Sequence, residues 1–498
     1  MNIATLLDMS AEAFGERIAI VSGGHRLSFE ALKRKALAAA AYLRESGAER
    51  VALLDVNSPA AAVALFAAAY AGIPYVPLNY RLTRAEINAL IQRIAPAVIV
   101  AGREHAPLVD AIDGVRVIDR ESFLALPEAE AIEPGDDPRA VAVQLFTSGT
   151  TGQPKAAILR HENLMGYIVG TVEFASADED DAILVTVPPY HIAGISAVLS
   201  STYACRRMVQ LESFEPEAWI TAVERERVSN AFVVPTMLVR IVEQLLDGPV
   251  PLQSLRALAY GGGKMPQTTI ERAMRLLPGV DFTNAYGLTE TSSTITVLGP
   301  DDHRAAIAAS EPALRRRLSS VGRPTAAVEI EIRDEQGAVL GPEQAGLVFV
   351  RGPQVSGEYQ QQGSQLDGGG WFPTRDRGYL DADGYLFLDG RADDVIVRGG
   401  ENISPGEIED VLLSHPAVAD VAVVAMPDEQ WGEAVAAAVV LHAGARAEAE
   451  ELQALVKSRL RSSRVPQAIA FRDQLPYNEL GKVLRRLVRE QFAQPVEA

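Results

Sequence analysis

Leu145-Phe146-Thr147-Ser148-Gly149-Thr150-Thr151-Gly152-Gln153-Pro154-Lys155 carries the densest local chemistry in the chain. An apolar run, Ala140 to Phe146, predicts a buried strand, and it breaks into a loop of hydroxyls and glycines before a helical pattern resumes at His161. Gly149 and Gly152 let backbone N–H groups turn inward. Thr147, Ser148, Thr150 and Thr151 add hydroxyl donors, and Lys155 adds a mobile positive charge. Such a loop suits a polyphosphate, although the same residue types also build ordinary surface turns. Its spacing is not that of the Walker loop, because Gly149 to Lys155 lacks the Gly-Lys pair and the hydroxyl that follows it.

The loop closely resembles the signature loop of the adenylate-forming superfamily, which includes acyl-CoA synthetases, firefly luciferases and peptide-synthetase adenylation domains. The resemblance continues in the family's order over nearly the whole chain. It implies an α/β fold: a large N-terminal domain of α/β layers with a small β-barrel-like unit, plus a small mobile α+β C-terminal domain. The implied ligands are ATP, Mg²⁺ and CoA.

Composition agrees with a protein of more than one core. The chain has 498 residues, 48% hydrophobic and 22% charged. A net charge of -19 argues against nucleic acid or an anionic membrane as a general partner, so anionic substrates must be held by local charge. The single Cys205 excludes an internal disulfide, and the seven histidines show no metal-ligand spacing. Met1 to Phe14 has no basic region followed by an apolar core, which makes a cytoplasmic enzyme the expectation. Ala60 to Leu78 is uncharged and about as long as a membrane span, but Gly72 and Pro74 interrupt it and alanine dominates it. A buried helix followed by a strand is expected, with no membrane span.

From Leu6 to Ile99 helical patterns alternate with short apolar strands at Arg17 to Ser22, Val51 to Asp55 and Ala97 to Ala101, as in a mostly parallel sheet. In Val185-Thr-Val-Pro-Pro-Tyr-His191-Ile-Ala-Gly194-Ile-Ser196 the prolines close a strand and a helix follows. The family's carboxylate-pocket motif lies here, and His191 resembles its aromatic gate, with Gly194 in the same motif. Amino-acid-activating relatives typically carry an aspartate here to pair with an ammonium. His191 flanked by Tyr190 and Ile192 therefore argues against an amino acid substrate.

Phe232-Val233-Val234-Pro235 and Ala259-Tyr260-Gly261-Gly262-Gly263 read as strand ends opening into loops, where open α/β sheets form their binding crevice. Close packing alone would also explain the glycines. Resemblance assigns Val233, Tyr260 and Gly261 to the acyl pocket and Gly262 and Gly263 to the nucleotide side, and the small apolar side chains favour a hydrophobic carboxylate. Asn284-Ala285-Tyr286-Gly287-Leu288-Thr289-Glu290 resembles a second family motif, in which Tyr286 would face adenine, Thr289 the α-phosphate and Glu290 the metal, with Thr151 also near that metal.

Val321 to Val350 is β-rich. Asp376, in Thr374-Arg375-Asp376, resembles the aspartate that accepts both ribose hydroxyls, and Arg375 replaces the commoner glycine. Arg391 would contact ribose or phosphate. The resemblance places a hinge at Asp393, so that 1–391 forms the AMP-binding and acyl-substrate domain and 392–498 a mobile lid. Arg398, Gly399 and Gly400 would lie along the thiol tunnel. Near the C-terminus Lys482 resembles the catalytic lysine, acting with Lys155, Thr289 and Glu290, and Tyr477 stands where a basic residue is frequent.

The implied reaction is ATP-dependent activation of a fatty, aryl or polycyclic carboxylic acid to acyl-AMP, followed by transfer to CoA. Transfer to a separate carrier protein, release of the adenylate, or a silent relative that only binds nucleotide or acyl ligand remain open. So does the oligomeric state, for which a homodimer is the candidate.

Overall fold

The computed structural model describes residues 1–129, 132–147, 154–246, 252–399, 401–428, 430–478 and 483–493. The apolar run before the hydroxyl-rich stretch forms the strand Val141–Thr147. The next element is a second strand, Lys155–Arg160, antiparallel to the first with Thr147 opposite Lys155. Lys155, expected at the end of the loop, is therefore the first residue of a strand, and the helix His161–Thr171 begins only after it. The extra strand was hidden because Lys-Ala-Ala-Ile-Leu-Arg is apolar only at its centre and has no turn signal of its own.

This hairpin sits in an eight-stranded sheet. On one side of it Tyr75–Pro77, Arg50–Leu54, Ala97–Ala101 and Val115–Asp119 run parallel, as the alternating pattern predicts. On the other side the short strand Glu358–Tyr359 pairs antiparallel with Ala157 and Ile158. Ala97–Ala101 is buried along its whole length, which is why it reads as an unbroken apolar run.

A nine-stranded sheet faces the first. It contains Ala182–Val185, Asn230–Val233, Ala257–Gly261 and Asp281–Leu288 as parallel neighbours, and Ser293–Leu298 returns antiparallel. Helices Phe29–Ser46, Pro59–Ala71 and Ile192–Tyr203 share one core with residues of both sheets, such as Val51 and Val98 on one and Ile20 and Met208 on the other. Wedged between two apolar faces, Pro59–Ala71 is buried nearly all round, and its alanines let the sheets approach. Gly72 closes that helix at φ 79°, and Tyr75–Pro77 follows, so Ala60 to Leu78 is the buried helix and strand expected. No helix among the described residues is long and apolar enough to cross a membrane.

The β-rich unit is a four-stranded antiparallel sheet in the order Glu329–Arg333, Gly346–Arg351, Phe372–Leu380, Leu386–Arg391. It does not close into a barrel, contrary to the expectation of a barrel-like unit. The edge strands Glu329–Arg333 and Leu386–Arg391 do not pair with each other among the described residues, and so few strands cannot curl round a filled interior. The smaller C-terminal domain has a separate sheet built on the long hairpin Val418–Asp428 and Gly432–Leu441, covered by helices Pro405–Leu413 and Ala449–Arg459.

Candidate active site

The strand Asp281–Leu288 delivers Tyr286 and Gly287 to its own end and passes into the single turn Thr289–Thr291. The turn is tight. Ser292 and Ser293 adopt φ values of 56° and 121°, and the Thr291 hydroxyl accepts from the Leu288 N–H at 2.9 Å. A Cβ on Gly287 would lie 1.7 Å from the Ser293 carbonyl oxygen, so only glycine fits there. Asn284 and Ala285 play structural parts: the Asn284 amide donates to the Ser320 carbonyl at 3.1 Å, and Ala285 pairs with Gly261 and Val297.

Asp376 is buried at the middle of Phe372–Leu380, and both its oxygens are engaged. The Tyr286 hydroxyl donates to Oδ2 at 2.5 Å, and Arg391 Nε approaches Oδ1 at 3.2 Å. Burial and the Asp376 charge push the Tyr286 phenol well above its ordinary range, so it remains a donor. Burial alone would favour a neutral Arg391; Asp376, Tyr286, Glu290 and Asp394 outweigh it and hold the guanidinium charged. A carboxylate has about four lone-pair sites, so two ribose hydroxyls still find acceptors on Asp376.

Glu290 is buried, and its Oε1 accepts from the Tyr359 hydroxyl at 2.6 Å. Its backbone carbonyl accepts from the N–H groups of Ser356 and Gly357 at 2.9 and 3.2 Å, which docks the turn onto the start of the short strand Glu358–Tyr359. Tyr359 faces Ala157 across the strand pair, and the Lys155 ammonium lies 5.5 Å from its ring centre. The arginine fork of Arg160 grips Glu358 with bonds of 2.9 and 2.8 Å and sets the register. Tyr359 was not anticipated from sequence. Nothing in its spacing marks it, and only the pairing of Glu358–Tyr359 with the distant strand Lys155–Arg160 brings it to Glu290.

The acyl side is less concentrated. His191 precedes the helix Ile192–Tyr203 without a side-chain capping bond, its ring 4.5 Å from that of Tyr190, and burial lowers its imidazole to about 3, leaving it neutral. Its Nε2 is buried without a protein partner among the described residues. Gly194 lets this helix pack closely, because a Cβ there would be 2.8 Å from the Pro188 carbonyl oxygen. Val233 and Tyr260 are fully buried in the hydrophobic core, and the Tyr260 hydroxyl bonds His303 Nε2 at 2.8 Å. Strand alternation instead turns the less buried Phe232 and Ala259 to the other face, where a Cβ on Gly261 would come 3.6 Å from the Phe232 ring. Gly262 has φ 83°, whereas a Cβ on Gly263 would meet only Pro235, at ordinary contact distance.

Asp393 is exposed in the single turn Ala392–Asp394, between the four-stranded sheet and the C-terminal sheet. Arg398 donates to the Ser463 carbonyl at 3.0 Å and lies 5.6 Å from the Trp431 ring. A Cβ on Gly399 would be 2.6 Å from that ring, at φ 57°. These two residues thus belong to a C-terminal cluster, separate from the Asp376 and Glu290 cluster. Thr147 and Thr289 flank the centre, Thr147 opposite Lys155 and Thr289 opening the turn that carries Glu290. Ser148, Gly149, Thr150, Thr151, Gly152, Gly400 and Lys482 lie outside the described residues.

A polar cluster in which five elements bring together a buried carboxylate, a lysine, and an aspartate held by tyrosine and arginine has the chemistry of a nucleotide site. Residues 7–360 match the model of the AMP-binding enzymes, and residues 407–482 match that of the AMP-binding enzyme C-terminal domain. A feruloyl-CoA synthase from Amycolatopsis is 34% identical over 488 residues, 95% of this chain and 96% of the relative. A fatty acid–acyl-carrier-protein ligase from Streptomyces coeruleorubidus is 31% identical over 500 residues, 95% of this chain and 93% of the relative. Among solved structures, the o-succinylbenzoate CoA synthetase of Bacillus subtilis in complex with its acyl-adenylate intermediate superposes with a TM-score of 0.83 at 29% identity, over 97% of each chain. The chain belongs to the AMP-binding enzyme family, in the adenylate-forming superfamily of acyl-CoA synthetases.

Proposed function

We propose that this protein is an AMP-forming acid–thiol ligase that activates a hydrophobic carboxylic acid with ATP and transfers the acyl group to CoA. The convergence of Glu290, Tyr359 and Lys155 with the Asp376, Tyr286 and Arg391 cluster carries the reading, because it sets a polyphosphate region beside a ribose acceptor. In the first step the substrate carboxylate attacks the α-phosphorus of ATP and the bond to the pyrophosphate oxygen breaks, giving acyl-AMP. In the second the CoA thiol attacks the acyl carbonyl, loses its proton and displaces AMP.

The chain's own groups would lower both barriers by position and charge. Asp376 and Arg391 hold the ribose, Thr289 the α-phosphate, Lys155 the outer phosphates, and Lys482 bridges carboxylate and α-phosphate. Glu290 fits a divalent cation: it is a single buried carboxylate, and Mg²⁺ takes one or two carboxylates while phosphates and water complete its shell. When bound beside Glu290 and Thr151, Mg²⁺ supplies neutralisation of the polyphosphate charge. Rotation of 392–498 about Asp393 would withdraw Lys482 and bring Arg398, Gly399 and Gly400 toward the acyl-adenylate for the thiol step. His191, Gly194, Gly261 and Phe232, with Val233 and Tyr260 behind them, would wall the acid's apolar end.

The test is mass spectrometry of products after incubation with ATP, Mg²⁺, CoA and pooled fatty, aryl and polycyclic acids. Acyl-CoA with AMP is the expected product, and formation of neither acyl-AMP nor acyl-CoA from any acid would sink the proposal. A second reading, loading of a separate carrier protein, is favoured by the 31% identity to the carrier-protein ligase; acyl-AMP accumulating without acyl-CoA would shift the reading to carrier loading or to release of the adenylate, and transfer of the acyl group to an added carrier protein would select the former.

A further inference from the structure

Arg375 is held in a conformation that its residue type resists. Its φ is +63°, in the left-handed region, where a Cβ is crowded and glycine is not. It lies in Phe372–Leu380 where the register against Gly346–Arg351 shifts, Pro373 facing Phe349 and Arg377 facing Leu347, and its neighbours Thr374 and Asp376 are buried. The Thr374 hydroxyl donates to the Val348 carbonyl at 2.8 Å, so this backbone cannot relax without disturbing Asp376 beside it. Backbone strain retained at such a place points to a use for the side chain.

The side chain has that freedom. Arg375 is exposed, and among the described residues its guanidinium makes no ion pair or hydrogen bond. Arg391 and Arg160 are committed, the first to Asp376 and the second to Glu358. The positive charge of Arg375 acts on the Tyr359 hydroxyl, the group that donates to Glu290 and whose ring centre lies 5.5 Å from the Lys155 ammonium, so Arg375 borders the cluster of Tyr359, Glu290 and Lys155. An exposed guanidinium bordering that cluster presents a planar fork of N–H donors suited to phosphate oxygens.

We propose that Arg375 is a nucleotide-binding residue that takes the β- and γ-phosphates of ATP, and the pyrophosphate product, together with Lys155. The inference rests on the adenylation reading and adds to it a phosphate contact at a position where glycine would suffice for the fold. Its signature is discrimination between nucleotides: ATP and pyrophosphate carry the groups it holds, and AMP does not.

Calorimetric titration of the full chain with ATP and Mg²⁺, pyrophosphate and Mg²⁺, AMP, and CoA tests this in wild type, Arg375→Gly and Arg375→Lys. Arg375→Gly should bind ATP and pyrophosphate about tenfold more weakly, the loss of one charge-assisted contact. AMP and CoA should stay within about twofold, since neither meets the lost group. Its melting temperature should be no lower than that of wild type, because glycine accepts this φ without strain. Arg375→Lys should recover part of the lost ATP affinity. Unchanged ATP binding in Arg375→Gly would overturn the inference, as would equal weakening of ATP and AMP or weakening of CoA alone. A wild type that binds no ATP would overturn the adenylation reading itself, whereas a wild type that binds ATP as tightly as Arg375→Gly does overturns this inference alone.

Discussion

At the scale of single residues the site is organised by hydrogen bonds that hold carboxylates in place before any ligand arrives. Tyr286 is the instructive case, because its hydroxyl serves Asp376 while the residue packs against the core cluster that contains Ile295 and Val350. Tyr286→Phe keeps the ring and removes only the donor. It should lower stability by about 1.5–3 kcal/mol, the worth of a hydrogen bond to a charged group, and weaken AMP binding several-fold by loosening Asp376. Denaturant unfolding and AMP titration check the two effects, and an unchanged AMP affinity would deny Tyr286 its positioning role. Much of this cluster was legible in sequence as motifs; its wiring was not. Tyr286 was expected to meet adenine, and its bond to Asp376 joins residues far apart in the chain, which no local pattern encodes.

At the scale of elements, the short strand Glu358–Tyr359 does more for the site than its length suggests. Paired with Ala157 and Ile158, it carries Tyr359 to Glu290 and is clamped by Arg160 on Glu358. A double-mutant cycle with Arg160→Met and Glu358→Gln should give a coupling of about 1 kcal/mol, since the fork is bidentate but partly exposed. Each single variant should also lower ATP affinity by freeing Tyr359. Additive stabilities with no effect on ATP would reduce the clamp to surface decoration. Elements with strong local signals were readable: the apolar run Ala97–Ala101 is a strand, and Gly72, at φ 79°, ends the helix Pro59–Ala71 where the alanine-rich segment is interrupted. The strand Lys155–Arg160 was not, because its partner and not its own pattern makes it a strand.

At the scale of the whole molecule, the C-terminal domain touches the large one through a small charged seam. Lys264 pairs with Asp410 at 2.7 Å, the Ser404 hydroxyl donates to the Asp389 carbonyl, and Gly406 packs so closely that a Cβ would be 2.9 Å from that oxygen. Burial raises the Asp389 carboxyl to about 6, against the opposing pull of Arg377 and Lys264 and with Glu407 and Asp410 adding to the rise. A carboxyl that binds its proton more tightly in the fold than in the unfolded chain stabilises the fold at low pH, and loses that contribution as pH rises through about 6. Asp389→Asn, a permanent neutral mimic, should therefore flatten the fall in stability between about pH 4 and 6 and stabilise the protein at pH 7 by about 1–2 kcal/mol, discounted for partial exposure. Unfolding measured across that pH range decides it; a variant with the wild-type slope would show that Asp389 titrates normally.

The amino-acid sequence by itself determined the family and the α/β layering, because these depend on short motifs and on apolar runs whose lengths match their elements. Tertiary structure alone decided which way those residues face and what they touch. It placed Val233 and Tyr260 in the core and Phe232 on the opposite face, and it left the β-rich unit as an open sheet. It brought Tyr359 to Glu290 and held Arg375 at a left-handed φ with its charge unpaired among the described residues. The reason is physical: strand pairing and side-chain facing are settled by contacts between segments remote in sequence, and a one-residue change of register would reverse every face.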